Sequence, residues 1–307
     1  MADLILHHYD FSSFAEKPRM IMGHKGLAWH SVEQPMVMPK PLLLPLTGGY
    51  RRIPVLQVGA DVYCDTRCIA EELERRHPQP TLFPEHSRGQ CEAISMWGDN
   101  ALSWACGRYA TGLRTDSLPQ EFFDDRSAMW GLPPSVNRAA GVVTRYHVQL
   151  VAQLDWLEPW CAGGPPFLLG AAPSLADYAV YQALYFLTVN GAEVQAVLDP
   201  FPAVRDWMGR VAAIGHGRPT PLAGEAALAR AREAEPEAPP AGDGSPDPSG
   251  LRPGDGVAVM PTDYARDPVE GTLVALTRTR VTLRREDPAV GVVHVHFPRL
   301  NYRVRGA

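Results

Sequence analysis

Ser12 and Ser13 stand after an apolar run, Leu4–His8, that reads as a strand, and at the start of Phe14–His24, which reads as a helix. Hydroxyls in that place can do two things. They can accept from the helix's first unpaired N–H groups as caps. They can also donate an O–H to an anion drawn to the partial positive charge of the helix start. Tyr9 adds a third hydroxyl to the same loop. Asp65 and Thr66 repeat the arrangement ahead of a second expected helix, Arg67–Arg76. Between the two lie Ile53-Pro54 and three cations, Lys40, Arg51 and Arg52. A further pair, Ser174 and Asp177, has the three-residue spacing of a capping box at the head of an apolar helix.

The elements that must position these residues fall into three blocks. Residues 1–84 alternate short apolar runs with turn signals, in the order β-α-β-loop-β-β-α. Pro18 removes one N–H from the first helix, and four prolines between Gln34 and Pro45 exclude a regular helix there. Residues 85–234 predict helices over Ser87–Leu113, Ser135–Cys161, Ser174–Val189, Phe201–Ile214 and Gly224–Ala234. Residues 235–250 hold five Pro, three Gly and four acids, a composition that buries no core and predicts a semi-extended linker. Residues 251–307 predict five short strands, Gly256–Met260, Thr272–Leu276, Arg280–Arg284, Val292–Phe297 and Tyr302–Arg305. Five strands in so short a stretch suggest a half-open, SH3-like barrel. Its core is too small to stand well alone, so it is expected to dock on the rest of the chain.

Composition narrows the classes. The 307 residues are 45% hydrophobic and 21% charged, which excludes global disorder. A net charge of −5 argues against a chain-wide nucleic-acid footprint, and the mild basic excess of residues 251–307 is too weak to change that. No apolar run is long enough for a membrane span. Asp3 and the lack of a basic start do not fit a secretory leader. Cysteines 64, 68, 91, 106 and 161 form no CxxC pair, so neither a disulfide framework nor a zinc module is implied, and a reducing cytoplasm is the default. His294 and His296 share a strand face but lack a third metal ligand, so no metal is expected.

Taken together, four motifs resemble the glutathione transferase superfamily. Phe11-Ser12-Ser13-Phe14-Ala15-Glu16-Lys17-Pro18-Arg19 is similar to its bacterial, zeta- and omega-like pattern. Arg52-Ile53-Pro54-Val55-Leu56 is similar to its cis-proline motif, Cys64-Asp65-Thr66 to its acid-or-amide/serine pair, and Ser174–Asp177 to the capping box of its helical domain. The resemblance covers roughly residues 4–220. It implies an α/β, thioredoxin-like domain followed by an all-α domain, with the small β unit appended. It also implies glutathione as co-substrate, a small electrophile, a homodimer and a cytoplasmic enzyme.

On this resemblance Ser12 faces the glutathione thiol and lowers its pKa together with the helix end; Tyr9 and Ser13 are the rival donors. Ile53, before Pro54, pairs its backbone with the cysteinyl part. Thr66 receives the γ-glutamyl carboxylate and Asp65 the ammonium, although Asp is one methylene shorter than the family's Glu or Gln. Lys40 and Arg52 are chosen for the glycyl carboxylate, and Trp104, Arg108 and Tyr109 as electrophile-pocket candidates. Asp177 is structural, and Trp97, Trp104, Trp156 and Trp207 fall in helices where tryptophan most often belongs to the core. The absence of a cysteine at positions 12 and 15 disfavours mixed-disulfide chemistry. The competing expectation is a non-catalytic binding or regulatory protein of the same fold, favoured by Pro18, the proline-rich segment and the appended β unit. A lid or dimerisation role for that unit is a third.

Overall fold

A computed structural model of the chain describes residues 3–131, 141–239 and 247–307. β1 (Leu4–His8), α1 (Ser13–His24), β2 (Ala28–Glu33), the single turn α2 (Leu44–Thr47), β3 (Val55–Val58), β4 (Asp61–Cys64) and α3 (Thr66–Arg76) follow the expected order. β1 pairs parallel with β2 and antiparallel with β3, and β3 pairs antiparallel with β4. Every side chain of β1 is buried, His7 and His8 included. Burial of these imidazoles is tolerated because they stay neutral and hydrogen-bonded. His7 bonds Gln57 at 2.9 Å and Gln34 at 3.2 Å, and His8 bonds Ser31 at 2.9 Å and Arg19 at 3.2 Å.

The helical layer comprises α4 (Arg88–Trp97), α5 (Ser103–Leu113), α6 (Gln120–Trp130), α7 (Val142–Cys161), α8 (Leu175–Thr188), the short α9 (Ala192–Gln195) and α10 (Pro202–Ala212). A π-helical turn, Gly98–Leu102, joins α4 to α5. A Cβ on Gly98 would lie 2.7 Å from the Ala179 carbonyl oxygen, so α8 packs directly on that turn. α6 was not expected from the sequence, and residues 135–140 of the expected helix before Cys161 lie outside the described residues. Trp207 is buried as core, but Trp156, on the outer face of α7, is 65% exposed rather than internal.

Asp177 ties this layer together. Its carboxylate accepts from the Ser174 N–H at 2.9 Å, the Ser174 hydroxyl at 2.8 Å, the Leu168 N–H at 2.9 Å and the Trp207 indole at 3.0 Å. The expected capping box is thus also a buried junction of α8, α10 and the loop before them.

After α10 the chain returns to the sheet. β5 (Arg218–Pro221) adds parallel to β2, and α11 (Gly224–Arg232) sets Ala227 against Ile5 and Val32. The stretch 218–232, grouped with the helices on sequence grounds, therefore packs on the first domain. Residues 235–239 are also held: the Glu237 N–H bonds Asp61 at 2.8 Å, and its side chain pairs with Arg76 at 2.8 Å. Residues 240–246 of the expected linker lie outside the described residues.

The last block forms β6 (Gly256–Pro261), β7 (Val269–Leu276), β8 (Arg280–Asp287), β9 (Gly291–Pro298) and β10 (Tyr302–Gly306). They pair antiparallel in the order β10-β6-β7-β8-β9, and β9 then pairs parallel with β4, so one ten-stranded sheet spans both units. Asp61 faces His294, Val62 faces Val295 and Tyr63 faces His296 in register. His296 is buried there, 2.8 Å from Asp61 and 3.0 Å from Thr282, with its ring stacked on Tyr63 at 4.4 Å. Leu43, Leu46, Tyr50, Val55 and Val62 share a single apolar core with Val257, Val281, Val295 and Phe297. The small β unit thus borrows the core it cannot build alone.

Two stability outcomes follow. Burial lowers the pKa of His7 and of His8 to about 4, in His8 with help from the Arg19 charge. The unfolded chain binds protons near pH 6.5 that the native chain refuses, so stability is complete above that pH and drains away towards pH 4. Unfolding free energies from denaturant titrations between pH 7 and pH 4 are expected to fall by on the order of 3 kcal/mol per imidazole over the window, and to fall less in His7→Gln. Asp177→Ala strands four donors inside the helical layer; thermal melts should report a loss of about 3 kcal/mol or more.

Candidate active site

The Tyr9–Ser13 loop is shaped from beneath by Arg19. Its buried guanidinium donates to the Asp10 carbonyl at 3.0 Å and the Ser12 carbonyl at 3.5 Å, and pairs with Glu16 at 2.7 Å. Burial by itself would push the Glu16 carboxyl up; hydrogen bonding from His216 and the Arg19 charge outweigh it and hold the group low. Ser12 is the N-cap of α1, and its Oγ accepts the Ala15 N–H at 3.3 Å. Capping uses only a lone pair and leaves the O–H proton free to donate. Capping therefore leaves the same hydroxyl able to face a ligand.

Tyr9, Ser12 and Ser13 open into a cavity of about 690 Å³ between the first domain, the helical layer and the β unit. Ile53 and Pro54 line it, joined by a cis peptide bond. Asp65 and Thr66 line it at the N-terminus of α3. Asp65 accepts the Arg67 N–H at 2.9 Å and the Tyr302 hydroxyl at 3.1 Å, and Tyr302 is also 3.1 Å from the Tyr50 hydroxyl. Burial raises the Asp65 pKa, opposed by the Arg67 N–H and the Arg52 charge. Burial likewise raises the pKa values of Tyr50 and Tyr302, which stay protonated donors.

Lys40 and Arg52, chosen for one carboxylate, occupy different settings. Lys40 donates to the Pro35 carbonyl and lies 5.8 Å over the Tyr9 ring. Its pKa is lowered to about 8, first by burial and then by the Arg126 charge. Arg52 is engaged by the β unit: it pairs with Asp263, donates to the Tyr264 carbonyl and lies 3.7 Å over the Tyr264 ring. Arg52 still lines the cavity, with its charge shared with Asp263. The Nε of Arg52 is buried with no partner among the described residues.

Trp104 and Arg108 line the aromatic side of the cavity, with the Arg108 guanidinium 5.6 Å over the Trp104 ring. Tyr109 does not. One residue further round α5, it turns into the helical core, 5.7 Å from the His147 ring, and is corrected to a packing residue. Eleven of the twelve residues singled out from the sequence thus line one cavity.

The sequence reading missed two contributors and named no residues for a third, the β unit. α6 supplies Phe122, Phe123, Asp125, Arg126, Met129 and Trp130. Asp125 pairs with Arg51 and accepts the Met38 N–H at 3.0 Å, fastening the proline-rich segment. Arg126 reaches the Tyr9 hydroxyl at 3.5 Å. Signals for this helix were present: Pro119 stands at its start, and Gly131 closes it in the left-handed conformation. The π-helical turn supplies Asp99, paired with Lys17 at 2.7 Å. The β unit supplies Asp263, Tyr264, Leu300, Asn301 and Tyr302. Trp130 stacks on Tyr264 at 4.0 Å and meets Trp104 edge-on at 4.4 Å, and the Ala265 N–H bonds the Met129 carbonyl at 2.7 Å.

Charges in the lining favour an anion: Lys40, Arg51, Arg52, Arg67, Arg108 and Arg126 stand against Asp65, Asp99, Asp125 and Asp263. None of the five cysteines lines the cavity. All are buried, and burial raises the pKa values of Cys64, Cys68, Cys106 and Cys161, the last to about 12. Among the described residues no group of three or more His, Cys, Asp or Glu is placed to hold a metal ion. No helix among them is long and apolar enough to cross a membrane.

Comparison with known proteins agrees with this architecture. A model of the glutathione S-transferase N-terminal domain matches residues 6–81, and one of the C-terminal domain matches residues 140–210. The crystal structure of a GST-like protein from Pseudomonas syringae superposes with a TM-score of 0.82 at 37% identity, covering 100% of both chains. A probable glutathione S-transferase of rice, Oryza sativa subsp. japonica, is 26% identical over 140 residues, 45% of this chain and 56% of the rice protein; the chain thus spans little more than half of that relative. The tau-class glutathione S-transferase of mango, Mangifera indica, shares the fold at a TM-score of 0.53 and 17% identity, over 69% of this chain and 89% of its own. The chain belongs to the glutathione S-transferase family.

Lys40 gives the cavity a pH signature. Its lowered pKa means that the charge is present below about pH 8 and lost above it. Affinity for S-methylglutathione, which has no thiol to titrate, should weaken as pH rises through 8. In Lys40→Arg, whose charge persists, calorimetric titrations should show that weakening diminished.

Proposed function

We propose that this chain is a glutathione-dependent transferase. In this reading it joins or exchanges the glutathione sulfur with a small electrophile, and Ser12 stabilises the thiolate. One observation carries the reading: the Ser12 hydroxyl at the start of α1, the backbone of Ile53 before Pro54, and Asp65-Thr66 at the start of α3 converge on one cavity.

The chemistry follows from the parts. The glutathione thiol loses its proton to solvent on binding, and the thiolate accepts the Ser12 O–H while the positive end of α1 offsets its charge. The sulfur lone pair then attacks the electrophile. A C–S bond forms, and the bond to the leaving group breaks with its electron pair, or an activated double bond takes up the pair and a solvent proton. Rate comes from the depressed thiol pKa and from holding both reactants together. Thr66 takes the γ-glutamyl carboxylate at a helix start, and Ile53 pairs with the cysteinyl backbone as an added strand. Lys40 remains the cation for the glycyl carboxylate. Trp104, Trp130 and Phe186 offer the electrophile an apolar, aromatic wall. A homodimer and a cytoplasmic location belong to the same proposal; sedimentation mass tests the first.

A second reading, a binding or regulatory protein of this fold without turnover, draws support from Arg52, whose charge is already met by Asp263. Thiolate absorbance of bound glutathione, followed against pH, separates the two. In the transferase reading the bound thiol ionises well below free glutathione. Ser12→Ala then reverses most of that shift and lowers kcat/KM towards an activated aryl halide about 10- to 100-fold, with smaller losses for Tyr9→Phe and Ser13→Ala. Turnover unchanged in Ser12→Ala overturns the role of Ser12. Binding without any ionisation shift supports the second reading.

A further inference from the structure

We infer that the appended β unit makes half of the subsite for the ligand's ammonium end: Asp263 supplies a second carboxylate beside Asp65, and Tyr302 holds Asp65 in place. This rests on the reading of glutathione as the ligand. The γ-glutamyl end of that tripeptide is a free amino acid, an α-carboxylate beside an α-ammonium. A site for it must offer donors and a net negative pole side by side. The start of α3 at Thr66 supplies the donors. Asp65 alone is a poor negative pole. Its side chain is short, burial disfavours its ionisation, and it already accepts the Arg67 N–H.

The β unit adds two groups to this corner. The Tyr302 hydroxyl reaches the second oxygen of Asp65 at 3.1 Å, which favours the ionised form and fixes its orientation. Asp263 meets Arg52 with both carboxylate oxygens, and its side chain is still 42% exposed. Arg52 also bears electrostatically on Asp65. Arg52 thus touches Asp263 and acts on Asp65 from a distance, so both carboxylates line the corner that an ammonium would enter.

Asp263 does not ride on a loose loop. Tyr264 beside it is clamped between Arg52 at 3.7 Å and Trp130 at 4.0 Å, and the Ala265 N–H bonds Met129 at 2.7 Å. The neighbours of Asp263 in sequence are thus held against Arg52 and α6.

Calorimetry on the full chain tests this with two ligands, glutathione and glutaryl-cysteinylglycine, which is glutathione without its amino group. Asp263→Asn keeps the hydrogen bond to Arg52, and Tyr302→Phe keeps the ring. Glutathione is expected to bind about 10-fold more weakly to Asp263→Asn and several-fold more weakly to Tyr302→Phe. Both variants should hold the amine-free analogue within about two-fold of wild type, the result that a merely structural role does not produce. Equal losses for both ligands, or no loss for either, overturn the inference. So does a wild type that binds glutathione no better than the analogue, in which case the glutathione reading itself stands. Failure of the wild type to bind either ligand at millimolar concentration overturns that reading and this inference with it.

Discussion

The open edge of strand Asp61–Cys64 is the constraint on which the rest of the molecule turns. A sheet edge with unpaired N–H and C=O groups must be covered or it recruits another chain. Gly291–Pro298 covers it, and the register Val62 to Val295 brings two incomplete apolar faces together into one core. From that alignment the remaining geometry follows. The connection after Pro298 delivers Tyr302 to Asp65, and the loop before Val269 delivers Asp263 to Arg52. The pairing that closes the sheet is therefore the one that completes the cavity wall.

Much of this architecture was legible in one sequence because local signals and global fold agree. The alternation after Gly256, the prolines between Gln34 and Pro45, and the Ser174–Asp177 spacing each name an element that the structure contains. The seam itself was not legible. Parallel pairing of two separately folded-looking strands leaves no local trace, and His294 and His296 read as a pair on one face before either had a partner. In the structure His296 is a buried companion of Asp61. The return of Arg218–Pro221 to the first sheet was hidden for the same reason: two prolines in four residues read as a breaker, and only an edge position tolerates them.

Within the candidate site, the legible residues were those whose role is set by local backbone: hydroxyls at helix starts, the proline after Ile53, the acid before Thr66. Illegible were those whose role is set by a neighbour distant in sequence. Arg52 looked available until Asp263 was placed on it. Arg108 and Tyr109 were indistinguishable without the phase of their helix, and a rotation of one residue sends the first to the cavity and the second to the core. Asp99 enters the cavity lining from a π-helical turn that propensity does not announce.

The pairing of Asp61 with His296 joins residues 235 positions apart. A contact of that span cannot form until residue 296 has been made: the first domain and the helical layer emerge with the edge of Asp61–Cys64 bare and the apolar face of Val55 and Val62 wet. Synthesis must pass Pro298 before either is covered. Chains that stop short of Gly291 therefore carry a bare strand edge and a wet apolar face that chains reaching past Pro298 lack.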